Sequence, residues 1–167
     1  MTKLIALALL AQSVSIQDNA LQDWMRLKET MMKIAAAMPE DKFSYRATPA
    51  ERTWGEQILH VAEANIVQMG RFGAKAPAPA YNMKATSRAE ILRTLEASFD
   101  FGTAALKEQT DQTMLAQAES TRFDRFMGPS TKARVVFYVI GHTWDIYGQM
   151  VVYLRLNGIT PPASQRF

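Results

Sequence analysis

Four long segments of the chain have the apolar patterns of helices, and in the first of them the apolar residues recur at alternating spacings of four and three, which places them along one face. The first runs from about residue 17 to residue 38, and Pro39 ends it. The others begin near Thr53, Ser87 and Ser130. The patterns at Thr53 and Ser87, a hydroxyl residue followed three positions later by glutamate, predict capping boxes. The sequence therefore predicts an all-α fold, a four-helix bundle.

The connections between these segments differ in length and pattern. The stretch between the first and second helices has about fifteen residues, which is long enough to cross one end of a bundle. Between residues 110 and 129 the helical periodicity is lost. We expect residues 122–127 to form a short extended piece.

The fourth helical segment is nearly apolar, but its polar residues fall within one arc. At 100° per residue these are Tyr138, His142, Asp145, Gln149 and Tyr153. Polar side chains on an apolar helix need partners, and bundle interiors are where such sets build ligand or metal sites. A purely structural hydrogen-bond network, in which Asp145 fixes the tautomer of His142, explains the pattern as well.

Composition narrows the chemistry that this arc can support. The 167 residues include no cysteine and only two histidines. Disulfide scaffolds, iron–sulfur clusters, thiolate zinc sites and cysteine nucleophiles are therefore excluded, and one chain cannot supply three histidines to a zinc ion. The net charge of +3 is spread thinly, with no basic run, which predicts no nucleic-acid partner.

The second histidine, His60, lies roughly 160° from the centre of the apolar arc of the second helix. Glu63, Ala64 and Val67 lie beside it. These neighbours fit a surface histidine flanked by carboxylates. They equally fit a residue covered by a cavity or by another subunit, and periodicity does not choose between the two.

The N-terminus has the form of a short secretory signal. Lys3 precedes the apolar run 4–11, and a small-x-small triplet follows at residues 13–15. Residues 1–15 are predicted to be either a signal peptide, which makes the protein exported or periplasmic, or the start of helix one in a cytoplasmic protein. No other segment has the length and apolarity of a membrane span.

Five blocks of sequence resemble the DinB-like family. They are residues 41–49 (DKFSYRATP), 52–57 (RTWGEQ), 60–65 (HVAEAN), 142–149 and 152–164. The resemblance implies a four-helix bundle over residues 16–167, often a homodimer, related to metal-dependent thiol transferases. It also implies zinc or nickel held by three histidines, one on helix two and two on helix four, four residues apart.

Carried over to this chain, the resemblance assigns ligand positions to His60 and His142, but the third position holds Ile146. Isoleucine offers no lone pair. Asp145 could replace the missing ligand; the site could instead be vacant and bind an organic ligand; or a metal could bind weakly through the two histidines and water or a substrate donor.

We therefore expect a DinB-like protein of unassigned reaction with an incomplete metal site. Its cavity is predicted to be lined by the two histidines together with Tyr138, Asp145 and Gln149. A small-molecule ligand, with a weakly bound metal or none, is the first expectation for the function. The alternative is a divalent-metal-dependent hydrolase or thiol transferase that uses His60, His142 and Asp145.

Overall fold

The structure, a computed structural model, describes residues 14–165 and contains six α-helices in that range. Almost all of the predicted signal segment, residues 1–15, lies outside the described residues. Within the described part no helix has the length and apolarity needed to cross a membrane, and no strand is present. The helices are α1 (Ile16–Ala37), α2 (Trp54–Gly70), α3 (Arg88–Lys107), α4 (Asp111–Met114), α5 (Asp124–Met127) and α6 (Lys132–Leu156). The predicted all-α fold is confirmed.

Hydroxyl side chains begin the long helices. The Thr53 hydroxyl accepts from the Glu56 amide at 3.1 Å, and the Glu56 carboxylate accepts from the Thr53 amide at 2.7 Å, so the predicted capping box is present. At Ser87 only the first half of the box forms. The Glu90 carboxylate accepts from the Asn82 side chain instead, because the preceding loop folds back over the helix start.

The four long helices form a closed ring. Helix α1 packs against α3 and α6, and α2 packs against the same two helices, so α1 and α2 lie diagonally across the bundle. The connection between them therefore crosses the bundle end, as its length predicts. The core between the helices is apolar and closely packed. Its largest fully buried side chains include Trp24, Leu27, Met31, Trp54, Phe99 and Ile91.

The crossover segment fixes the start of α2. The Trp54 amide donates to the Tyr45 carbonyl and the Gly55 amide donates to the Phe43 carbonyl, both at 2.9 Å. A Cβ at position 55 would lie 2.9 Å from the Ile91 Cδ1, so a larger residue there requires the Ile91 side chain to shift. The blocks at residues 41–49 and 52–57 thus act mainly on the fold, because they set where α2 begins.

The segment between α4 and α6 differs from the sequence prediction. Residues 122–127 are not extended, since they form a turn followed by the short helix α5. The Ala118 amide donates to the Ser130 carbonyl and the Lys132 amide to the Ala116 carbonyl, both at 3.0 Å. These bonds close the base of a compact loop, residues 118–130, in which local turns replace the expected extension.

The paired substitutions Gly102→Ala and Gly70→Ala test the packing of the bundle. An added Cβ at Gly102 would overlap the indole ring of Trp24, whereas at Gly70 it meets nothing within 4 Å. We expect Gly102→Ala to lower the free energy of unfolding by about 1–3 kcal/mol. Gly70→Ala is expected to leave it unchanged or raise it by up to about 1 kcal/mol. Urea denaturation measures both, and equal losses in the two variants would contradict this packing.

Candidate ligand-binding site

The two histidines of the chain meet between α2 and α6. The ring centroids of His60 and His142 lie 5.0 Å apart with an interplanar angle of 89°, an edge-to-face arrangement. One turn before His142, the ring of Tyr138 stacks on it with a centroid distance of 6.2 Å and an angle of 6°. Both histidines are half-buried, while Tyr138 is exposed at its outer edge. The fold thus brings together residues that are 82 positions apart in the sequence.

A cavity of about 110 Å³ opens beside this pair, and we call it the histidine pocket. Three elements supply its walls: α2, α6 and the 118–130 loop. Its surface mixes apolar groups with imidazole, phenol, amide, carboxylate and guanidinium groups. The lining residues are His60, Glu63, Ala64, Val67, Gln68, Arg122, Phe123, Tyr138 and His142.

Asp145 and Gln149 do not line this pocket, although the sequence places them on the same arc as His142. The Gln149 carboxamide oxygen accepts from the Gln57 side chain at 2.9 Å, and its nitrogen donates to the Asp145 carboxylate at 3.1 Å. Gln57 is fully buried and Asp145 is exposed. These side chains therefore form a polar chain that joins α2 to α6 next to the pocket.

Tyr153, the last member of the predicted polar arc, is separate from the pocket. Its ring is buried and its hydroxyl donates to the Arg52 carbonyl at 2.7 Å. Burial raises the pKa of this phenol. Tyr153 therefore fixes the chain just before α2.

The donor set does not fit the three-ligand metal site that the family resemblance implies. Ile146 occupies the third position, and it is 2% exposed within the hydrophobic core. Across residues 14–165 no group of three or more histidine, aspartate and glutamate side chains is arranged to hold a metal ion. A zinc site needs at least three protein ligands, and the histidine pocket offers two imidazoles.

Both imidazoles are held in the neutral form. Burial, together with the positive charges of Arg52 and of a protonated His142, lowers the pKa of His60 to about 4. Burial also lowers the pKa of His142, while the carboxylate of Asp145 opposes this shift. A neutral imidazole carries one donor and one acceptor nitrogen, so each ring can give and take a hydrogen bond.

A buried arginine holds the 118–130 loop against α2. Arg71 is 1% exposed and donates to the Glu119 carbonyl at 2.9 Å, to the Gln68 carboxamide oxygen at 3.2 Å and to the Asp124 carboxylate. The Ser120 hydroxyl also donates to Asp124, and together with Arg71 it lowers the pKa of that carboxyl. These bonds place the loop, with its pocket-lining residues, beside the histidines.

Helical periodicity identifies the residues that line the pocket from α2, but not those that come from the loop. Glu63, Ala64 and Val67 are identified by periodicity as neighbours of His60, and the structure places all three at the pocket. Gln68 is eight residues after His60 on the same helix face, so the same periodicity could have found it. Arg122 and Phe123 come from the loop, where no periodicity exists to predict their position.

Comparison with known proteins gives a family and a fold. A model described as the DinB family matches residues 12–166. The crystal structure of a DinB-like protein from Bacillus cereus ATCC 10987 matches with a TM-score of 0.73 and 24% identity. The match covers 89% of this chain and 96% of that one, and at this identity it shows the fold alone. No curated protein matches.

Acid should destabilise the protein through the histidine pair. The folded-state pKa of His60 is about 4, against an ordinary value of 6.5. The unfolded chain therefore takes up a proton before the folded chain does, and the free energy of unfolding falls as the pH drops from about 6.5 toward about 4. We expect His60→Gln to lose less stability than the wild type between about pH 7.5 and pH 5.

Urea denaturation at the two pH values measures that difference. Because the chain has only two histidines, NMR titration of the imidazole C–H signals reads each site directly. A titration midpoint near 6.5 for His60 would contradict its burial.

Proposed function

The chain belongs to the DinB family, and from that premise we propose that it binds a small organic molecule in the histidine pocket without a complete metal site. One observation carries the proposal. Two neutral imidazoles meet edge to face at a half-open cavity, while the position that would complete a metal site holds the buried Ile146.

The environment of Ile146 supports this proposal. The side chain belongs to the continuous apolar core of the bundle. The residue at the third ligand position thus packs in the core and cannot coordinate a metal ion. Two imidazoles without a third ligand hold zinc far more weakly than a complete site, since full structural sites supply on the order of 10–16 kcal/mol.

The lining of the pocket supports an organic ligand. Ala64, Val67 and Phe123 provide an apolar surface, and the imidazoles and Tyr138 provide hydrogen-bonding groups. Small-molecule sites commonly combine a mostly apolar wall with a few polar groups that orient the ligand. The cavity of about 110 Å³ suits a ligand with one ring rather than a nucleotide.

A second candidate is a divalent-metal-dependent hydrolase or thiol transferase that uses His60, His142 and Asp145. The observation that favours it is electrostatic, because the Asp145 carboxylate is near enough to act on the pKa of His142. To become a ligand, Asp145 has to give up its hydrogen bond with Gln149 and turn toward the pocket.

Metal content separates the two candidates. After dialysis against zinc or nickel and then buffer, we expect far less than one ion per chain in the wild type, measured by elemental analysis. The variant Ile146→His is expected to bind zinc tightly, because imidazoles at positions 142 and 146 lie four residues apart on one helix face.

The matched control is Leu115→His, which adds a third histidine at an exposed position outside the pocket. An increase in bound zinc in both variants would indicate that the ion binds at the protein surface and not in the pocket. One ion per wild-type chain, lost in Asp145→Ala, would replace the proposal with the metalloenzyme.

We also propose that two copies of the chain associate through the outer face of α6. Apolar side chains remain solvent-exposed along this face, and their exposures are Phe137 51%, Trp144 45%, Val152 50% and Leu156 59%. Gly141 and Gly148 lie among them, and a Cβ at either position meets nothing within 4 Å. Glycine inside a helix costs about 0.5–1 kcal/mol relative to alanine. A close approach of a second α6 gives these glycines a role that packing within one chain does not.

Sedimentation velocity tests this association. We expect the wild type to sediment as a dimer and Trp144→Glu as a monomer, because the charge would be buried in the contact. Leu115→Glu introduces the same charge at an exposed apolar residue elsewhere and is expected to remain dimeric. A monomeric wild type would overturn the association but leave the ligand pocket unaffected.

A further inference from the structure

The side chain of Gln68 has one defined orientation. It is 1% exposed and lines the histidine pocket. Its carboxamide faces the Arg71 guanidinium at 3.2 Å. A guanidinium donates and never accepts, so the atom facing it must be the carboxamide oxygen. The amide nitrogen, with its two N–H groups, therefore lies on the other side of the carboxamide.

Neighbouring bonds prevent this amide from turning over. Arg71 is held by the Glu119 carbonyl at 2.9 Å and by the Asp124 carboxylate, in addition to Gln68. Turning the carboxamide over would point N–H groups at a buried cation. The bond to Arg71 uses the Gln68 oxygen, and within residues 14–165 no residue accepts a hydrogen bond from the Gln68 nitrogen. The pocket thus has a preoriented donor in its wall.

A second donor comes from the 118–130 loop. Arg122 lines the same pocket, and within residues 14–165 no carboxylate forms an ion pair with it. Its guanidinium lies 5.6 Å from the centroid of the adjacent Phe123 ring. A guanidinium matches the two oxygens of a carboxylate in shape and charge.

We propose that the histidine pocket selects a ligand with one carboxylate on an apolar body, and that the carboxylate is bound by the Gln68 amide and the Arg122 guanidinium. This inference rests on the proposed ligand-binding function. Ala64, Val67 and Phe123 contact the apolar body. Glu63 lines the same pocket, and its negative charge repels a doubly charged phosphate more strongly than a singly charged carboxylate. Arg71 is a positioning residue, because it acts only through Gln68.

Benzoate and benzyl alcohol test this selection, because they share a ring and differ in charge. The readout is the imidazole C–H signals of the two histidines, which are both at the pocket. We expect the wild type to bind benzoate about tenfold or more tightly than benzyl alcohol, since a hydrogen bond to a charged group contributes at least that factor.

Two substitutions test whether Gln68 and Arg122 cause this selectivity. Gln68→Glu keeps an oxygen facing Arg71 but replaces the donor with a negative charge, and Arg122→Gln removes the guanidinium of an exposed residue. Each substitution is expected to lower the affinity for benzoate about tenfold and to change the affinity for benzyl alcohol by no more than about twofold. Arg125→Gln is the control, because it removes the same charge from the same loop outside the histidine pocket.

The outcomes separate this inference from the proposed function. Equal affinity of the wild type for the two probes, or benzoate binding that is unchanged in Gln68→Glu or Arg122→Gln, would overturn the inference alone. If neither probe moves the histidine signals at millimolar concentrations, the ligand-binding function itself is wrong, and the inference falls with it.

Discussion

The buried guanidinium of Arg71 is the interaction on which the geometry of the pocket depends. A buried charge without partners costs several kcal/mol, so its three acceptors have to remain in place whenever the side chain is buried. Two of these acceptors, the Glu119 carbonyl and the Asp124 carboxylate, belong to the 118–130 loop. The third is the Gln68 carboxamide. One cation therefore fixes both the outer wall of the pocket and the orientation of an amide within it.

The long helices could be predicted because their signals are local. Apolar spacing, the Thr53 capping box and Pro39 each act within a few residues, and the observed helices begin and end close to those signals. The segment before α6 has no such signal. Its shape depends on Arg71, which is 53 residues away from Asp124 in the sequence. At the end of a helix an arginine usually has access to solvent, and only the folded chain shows this one to be buried.

The site could be predicted in part for the same reason. His60 and His142 are identified by sequence blocks, and helical geometry gives their neighbours on α2 and α6. Periodicity also groups Asp145 and Gln149 with His142, because it predicts which side of the helix a residue is on. It does not predict which of these side chains line the pocket. In the folded chain Gln149 is bonded to the buried Gln57 of α2 and does not line the pocket. The pattern of a single helix does not predict which of its side chains contact those of another helix.

The close approach of Trp24 to Gly102 has a geometric consequence. The indole ring lies against the backbone of α3 and its nitrogen donates to the Phe99 carbonyl at 3.0 Å, so α1 and α3 are joined without free space. In the ring of helices this contact lies opposite the α2–α6 pair, where imidazoles and carboxamides meet at a half-open cavity. The closest packing of the bundle and its opening therefore lie on opposite edges. No residue of α1 or α3 lines the histidine pocket, so the walls of the pocket come from α2, α6 and the 118–130 loop alone.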